Sequence, residues 1–221
     1  MYKHTNRFVE YCKQEFSLKD QISYGYRSLS ICIIDCVFSL RARYHSTTVP
    51  VVERYAARYM ERNKLSPTES VSDLIHHILD VGGPVPFADS ILKNNQKSGH
   101  VLKAEICLKL AQYLQLLRIE TIEDFRNFES PELLEIVIRS VKGMGDAGTN
   151  YLFMLAGDPN RCKPDVHIHH CIRDACGEDI SNEECQVLFS ETAEALRKEY
   201  PGLTVAILDG IIWRKYQSAK K

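Results

Sequence analysis

Asp165 stands in the run Pro164-Asp165-Val166-His167-Ile168-His169, behind a proline and at the head of an apolar helical stretch. A carboxylate in that position has two uses. It caps the following helix, accepting from the first amides that have no intrahelical partner. It also stabilises positive charge developing on a nearby carbon, and orients or activates a water. The two are compatible, because a capping carboxylate is held still. Upstream, Lys142-Gly143-Met144-Gly145 separates two apolar helical patterns, over 133–141 and 149–156. Two glycines around one apolar residue predict a tight turn whose backbone approaches another molecule closely. The amides at the start of the second helix, with its dipole, suit a phosphate oxygen. Taken alone, the turn reads equally as an ordinary link between helices.

In this order the segment resembles the helix-hairpin-helix motif of the base-excision DNA glycosylase superfamily (HhH-GPD). That hairpin reads hydrophobic-Pro-Gly-hydrophobic-Gly. After the second helix and a short loop, the family places an aspartate at the head of the next helix. Here the same order is Val141-Lys142-Gly143-Met144-Gly145, a helix, the loop 157–164 and then Asp165. Members of the endonuclease III type that use a Schiff-base lysine carry it just after the second glycine, a fixed interval before the aspartate. That position is Ala147 here, eighteen residues before Asp165, which is the family's interval. More loosely, 28–59 resembles the family's early helix pair and Leu208-Asp209-Gly210-Ile211-Ile212-Trp213 a late helix.

The resemblance implies an all-α, two-lobed fold that flips a base out of duplex DNA. Asp165 would be the catalytic carboxylate, with Lys142, Gly143, Met144 and Gly145 gripping the DNA backbone. The chain departs from the family pattern in two ways. Ala147 has no amine, which implies a monofunctional glycosylase: hydrolysis of the N-glycosidic bond, an abasic product and no lyase step. Lys142 takes the family's proline position and favours phosphate contact, whereas Asp146 opposes it. Arg41, within Phe38-Ser39-Leu40-Arg41-Ala42-Arg43-Tyr44, takes the place where relatives carry a glutamine that enters the DNA stack. It either fills the vacated space or contacts the opposite strand, or is a solvated surface charge. Tyr24, Tyr26 and Trp213 either stack on the flipped base or belong to the core. Alkylated or oxidised purines, mismatched bases and hypermodified bases of foreign DNA all fit as substrate, the last as phage defence. The alternatives are a non-catalytic DNA-binding module and a lyase working through Lys142 or the N-terminal amine.

These residues need helices to position them, and the chain reads as helical almost throughout. Helix starts are marked at Ser66-Pro67-Thr68-Glu69, Thr121-Ile122-Glu123-Asp124, Ser130-Pro131 and Ser181-Asn182-Glu183-Glu184. Turns are predicted at Gly82-Gly83-Pro84, 94–99, Gly143-Met144-Gly145 and Gly157-Asp158-Pro159. About ten helices are expected, in a barrel-like lobe over 36–160 and a second lobe of 1–35 plus 161–221, with the base held between them. A hydrophobic share of 44% and a charged share of 26% fit a globular chain. The net charge of −1 argues mildly against a nucleic-acid partner. The longest apolar runs, such as 31–40 around Asp35, are too short to span a bilayer, and no apolar signal core follows Met1. A monomer in the cytoplasm, with the nucleoid, is expected. Without a secretory signal the eight cysteines are not expected to form a disulfide scaffold. His167, His169, His170 and the late cysteines contain no CxxC pair, and the gaps from Cys162 to Cys185 do not match the family's iron–sulfur spacing. No metal and no cofactor are expected.

Overall fold

The computed structural model describes residues 1–19, 25–60 and 69–218. Among them twelve α-helices form: α1 (Thr5–Glu15), α2 (Leu29–Ser39), α3 (Val49–Tyr59), α4 (Val71–Asp80), α5 (Pro84–Pro86), α6 (Lys103–Leu116), α7 (Ile122–Arg126), α8 (Pro131–Ser140), α9 (Asp146–Leu155), α10 (Val166–Cys176), α11 (Asn182–Arg197) and α12 (Val205–Ser218). Tyr44–Thr48 and Phe87–Leu92 are π-helical turns. The only strands among the described residues are one short antiparallel pair, Lys97–Ser98 with Val101–Leu102. The fold is therefore all-α. No helix of the described residues is long and apolar enough to cross a membrane.

The helices begin where side chains satisfy their first amides. Thr121 and Ser181 each accept from the amide three residues on, and the Asp124 and Glu184 carboxylates return the bond. Ser130 accepts from Leu133 N ahead of Pro131. The start expected at Ser66-Pro67-Thr68 lies outside the described residues. The capping box that opens α4 is Ser70 with Asp73 instead.

The chain divides into two compact units. The first, Met1–Tyr24 with Gly157–Lys221, contains α1, α10, α11 and α12. Its core joins Phe8 and Cys12 to Ile168, Cys171, Ile172, Leu188, Phe189, Leu208 and Ile212. The second, Gly25–Ala156, holds α2 to α9 around α2, every residue of which is buried. An edge at residue 36 would cut α2, which instead enters this unit whole. Residues 157–160 go with the first unit, where Ala206 N donates to Pro159 O (3.1 Å) and Gln186 Nε2 to Asn160 O (2.7 Å).

Two carboxylic acids are buried among the described residues of the second unit. Asp35 on α2 accepts from the hydroxyls of Tyr26 (2.6 Å), Tyr44 (2.7 Å) and Tyr151 (3.0 Å). Glu69 accepts from the Tyr55 hydroxyl, with Asp73 and His77 nearby. Burial above all raises the Glu69 carboxyl from 4.5 to about 7. The folded chain then holds a proton that the unfolded chain has released, so this stabilisation is full below the unfolded value and fades as the pH rises through 7. Between about pH 5 and pH 7 the wild-type chain is expected to lose about 2 kcal/mol that Glu69→Gln does not lose. Thermal melts of both proteins at the two pH values check this; parallel behaviour would refute it.

Candidate functional site

In the second unit, α8 and α9 are joined by the turn Val141-Lys142-Gly143-Met144-Gly145, closed by Met144 N to Val141 O at 2.9 Å. The two glycines differ in kind. Gly143 has φ +104°, and a Cβ there would lie 2.5 Å from Ile106 Cδ1. The positive φ favours glycine, and a side chain there would also have to displace the end of Ile106. Ser98 Oγ, on the short β-pair, donates to Gly143 O at 3.3 Å. Gly145 has an extended backbone (φ −139°), is exposed, and a Cβ there would meet nothing within 4 Å. The fold does not require it to be glycine.

Met144, which the sequence placed on the binding face, is 8% exposed. Its apolar side chain packs inward rather than standing on an exposed face. It packs on Gly148, where a Cβ would come within 3.3 Å of Met144 Cε and 3.1 Å of Leu40 Cδ2. Cys36 Sγ adds a bond to Gly148 O at 3.1 Å. The hairpin is therefore seated on the C-terminal end of α2 and the start of the Arg41 loop. Lys142 is exposed and Ala147 is half-buried. The first intrahelical bond of α9 is Thr149 N to Gly145 O (2.8 Å), so the amides of Asp146, Ala147 and Gly148 precede it. Asp146 pairs with Arg139 at 3.2 Å, and Arg139 also with Glu135 at 2.7 Å, which offsets the acid beside those amides.

Arg41 is exposed and left-handed, with φ +51°. A non-glycine residue held there costs of order 1 kcal/mol and persists only where its surroundings fix it. The fixing group is Lys103, 1% exposed. Its ammonium donates to Phe38 O (3.0 Å), Leu40 O (2.8 Å) and Gln96 Oε1 (3.1 Å). Lys103 thus caps the C-terminus of α2 and sets the chain direction into Arg41. Tyr26 spends its hydroxyl on Asp35, and Tyr24 lies outside the described residues.

In the first unit, Asp165 is the N-cap of α10. Its Oδ1 accepts from His167 N at 2.9 Å and Ile168 N at 3.2 Å. The residue is half-buried, and Oδ2 makes no hydrogen bond among the described residues. One oxygen is immobilised while the other is available. On the other side, Asp165 N donates to Lys163 O at 2.7 Å, closing a γ-turn about Pro164. Lys163 N donates to Asp209 Oδ1 at 2.8 Å. Asp209 sits on α12 at 3% exposure; burial, then the nearby Asp165 charge, pushes its carboxyl well above the ordinary range. Trp213, one turn beyond Asp209, stands edge-on to His167 with ring centroids 6.2 Å apart, half-buried against the core of this unit.

Lys163, Asp209 and Lys103 are not among the residues that the sequence marks for function. A lone charge in an apolar run, as in Leu208-Asp209-Gly210-Ile211, was the available signal, because such a residue is buried only with a partner. The eight cysteines are buried thiols, none of them in a disulfide, and no three His, Cys, Asp or Glu among the described residues converge as a metal site would need.

A family model described as "Domain of unknown function (DUF8548)" matches residues 6–218. No curated protein matches the chain. Among solved structures, the chain is similar to the crystal structure of Methanocaldococcus jannaschii 8-oxoguanine glycosylase/lyase in complex with 15mer DNA containing 8-oxoguanine. The identity is 14%, 96% of this chain and 87% of that chain are covered, and the TM-score is 0.47.

Proposed function

The chain belongs to the DUF8548 family, and we propose that it is a monofunctional DNA glycosylase acting on a damaged or modified base flipped from duplex DNA. The observation that carries this reading is the state of Asp165. Its carboxylate is half-buried at the head of α10 with one oxygen fixed by two amides, eighteen residues after Ala147 in the helix that follows the hairpin turn. That oxygen holds the group still, and Oδ2 faces the charge that develops on the sugar as the C1′–N bond breaks. Water attacks C1′ with Asp165 orienting it, the base departs with the bonding electrons, and a proton from water goes to the base. Abasic DNA remains. The role is base-excision repair or removal of hypermodified bases from foreign DNA, performed by a monomer at the nucleoid.

The hairpin supplies the grip on the backbone through Lys142, the amides around Gly145 and the α9 N-terminus, while Arg41 enters or flanks the stack. Because the Gly145 Cβ position is open, Gly145→Val is expected to leave the thermal midpoint unchanged. It should weaken binding to unrelated duplexes about tenfold, near the loss of one phosphate contact. Gly143→Val instead is expected to lower stability by roughly 1–3 kcal/mol through strain and its clash with Ile106. Duplex titrations and thermal melts separate the two, and equal DNA affinity of folded Gly145→Val would remove the hairpin from the binding face.

The function itself is tested by incubating the protein with duplexes carrying alkylated, oxidised, mismatched and hypermodified bases, with and without hot alkali. Strand cleavage that needs alkali supports a glycosylase without lyase activity. Binding without base release on every duplex would favour a non-catalytic module.

A further inference from the structure

We propose that Asp209 is a positioning residue for Asp165, acting through the peptide of Lys163; this rests on the glycosylase reading of Asp165. Asp209 is the acid of an otherwise apolar turn of α12, Val205-Ala206-Ile207-Leu208-Asp209-Gly210-Ile211-Ile212, and it is 3% exposed. A carboxyl buried to that degree destabilises the fold unless it answers a specific donor. The donor is the backbone amide of Lys163, 2.8 Å from Oδ1.

The consequence lies on the far side of that peptide. Lys163 O accepts from Asp165 N at 2.7 Å, so Lys163, Pro164 and Asp165 form one closed turn. The proline ring fixes the central φ near the value such a turn uses. Asp165 is then gripped from both directions: by its own cap of α10 on the C-terminal side and by the turn on the N-terminal side. Asp209 is what anchors the turn to the body of the unit.

The rest of the loop has separate anchors. Cys162 N donates to Gln186 Oε1 (3.0 Å), Gln186 Nε2 to Asn160 O (2.7 Å) and Ala206 N to Pro159 O (3.1 Å). Removing Asp209 therefore loosens the last turn before Asp165 while the loop stays attached. A carboxylate displaced by about 1 Å loses of order 10²-fold in rate without losing its substrate. What the turn needs from Asp209 is an acceptor oxygen of the right reach, which a carboxamide also provides.

The test uses the full chain and a duplex from which the wild-type protein releases a base. Single-turnover release, duplex affinity and thermal midpoint are measured for wild type, Asp165→Asn, Asp209→Asn and Asp209→Leu. Asp209→Asn is expected within about threefold of the wild-type rate, because the acceptor remains. Asp209→Leu, similar in size but without an acceptor, is expected to slow release at least about thirtyfold with duplex affinity unchanged. Should the leucine variant not fold, Asp209→Ser, too short to reach Lys163 N, is expected to show the same loss. Wild-type release by a folded Leu or Ser variant overturns the proposal, as does an asparagine variant that falls as far as leucine. If Asp165→Asn releases base normally, the glycosylase reading of Asp165 fails, and the role of Asp209 with it. If only the Asp209 variants behave like wild type, the positioning role alone is lost.

Discussion

Asp165→Asn is expected to lower single-turnover base release by at least about 10²-fold while leaving the thermal midpoint and duplex affinity close to wild type. The separation follows from what the side chain does in the folded chain. Oδ1 accepts from His167 N and Ile168 N, and an asparagine carbonyl oxygen accepts equally well, since asparagine ranks with aspartate as an N-cap. The helix start and the γ-turn before it are therefore retained. The asparagine lacks the negative charge that stabilises an electron-poor sugar carbon, and its amide is no base for water. Asp165→Ala would confuse the two effects, because losing the cap costs about 1 kcal/mol by itself. Rates under enzyme excess, compared with melting curves of the same preparations, give the answer. Near-normal release by a folded Asp165→Asn protein would reduce Asp165 to a helix cap.

The parts legible in the sequence were those whose cause is local. Ser130-Pro131, Thr121 with Asp124 and Ser181 with Glu184 predicted helix starts because a cap and its helix are adjacent in the chain. Gly143-Met144-Gly145 marked a turn because glycine pairs between apolar helical runs have few other uses. Non-local causes stayed hidden. Gly143 has φ +104°, and a side chain there would meet the end of Ile106 from another part of the unit. Met144 turns inward because Gly148 leaves room beside Leu40. Lys103 looks like a first-turn lysine of α6 until the carbonyls of Phe38 and Leu40 are seen at its ammonium. The edge placed at residue 36 falls inside α2, and whether such a helix is divided or buried whole depends on what surrounds it.

Wild-type protein is expected to form no borohydride-stable adduct with its substrate DNA, and its product strand is expected to remain intact until treated with alkali. A lysine-dependent glycosylase passes through an imine between its amine and C1′ of the opened sugar, which borohydride reduces to a secondary amine. The position that would carry that lysine is Ala147, the second residue of α9, whose side chain is a methyl group. Two other amines stand near the candidate machinery in sequence. Lys142 is exposed, but it precedes the glycines, where a phosphate contact suits it better than an attack on the sugar. Lys163 is two residues from Asp165, yet it is 8% exposed and its backbone is bound to Asp209 and Asp165. A buried stem fixed on both sides of its Cα reaches a sugar only if the turn that holds Asp165 opens. Attack is therefore expected to fall to water, leaving the abasic sugar uncut. Denaturing gels after borohydride treatment, with a lysine-dependent glycosylase as positive control, read the adduct directly. A shifted band from the wild-type chain would contradict hydrolysis by water. Its loss in Lys142→Ala or Lys163→Ala would then identify the amine that attacks.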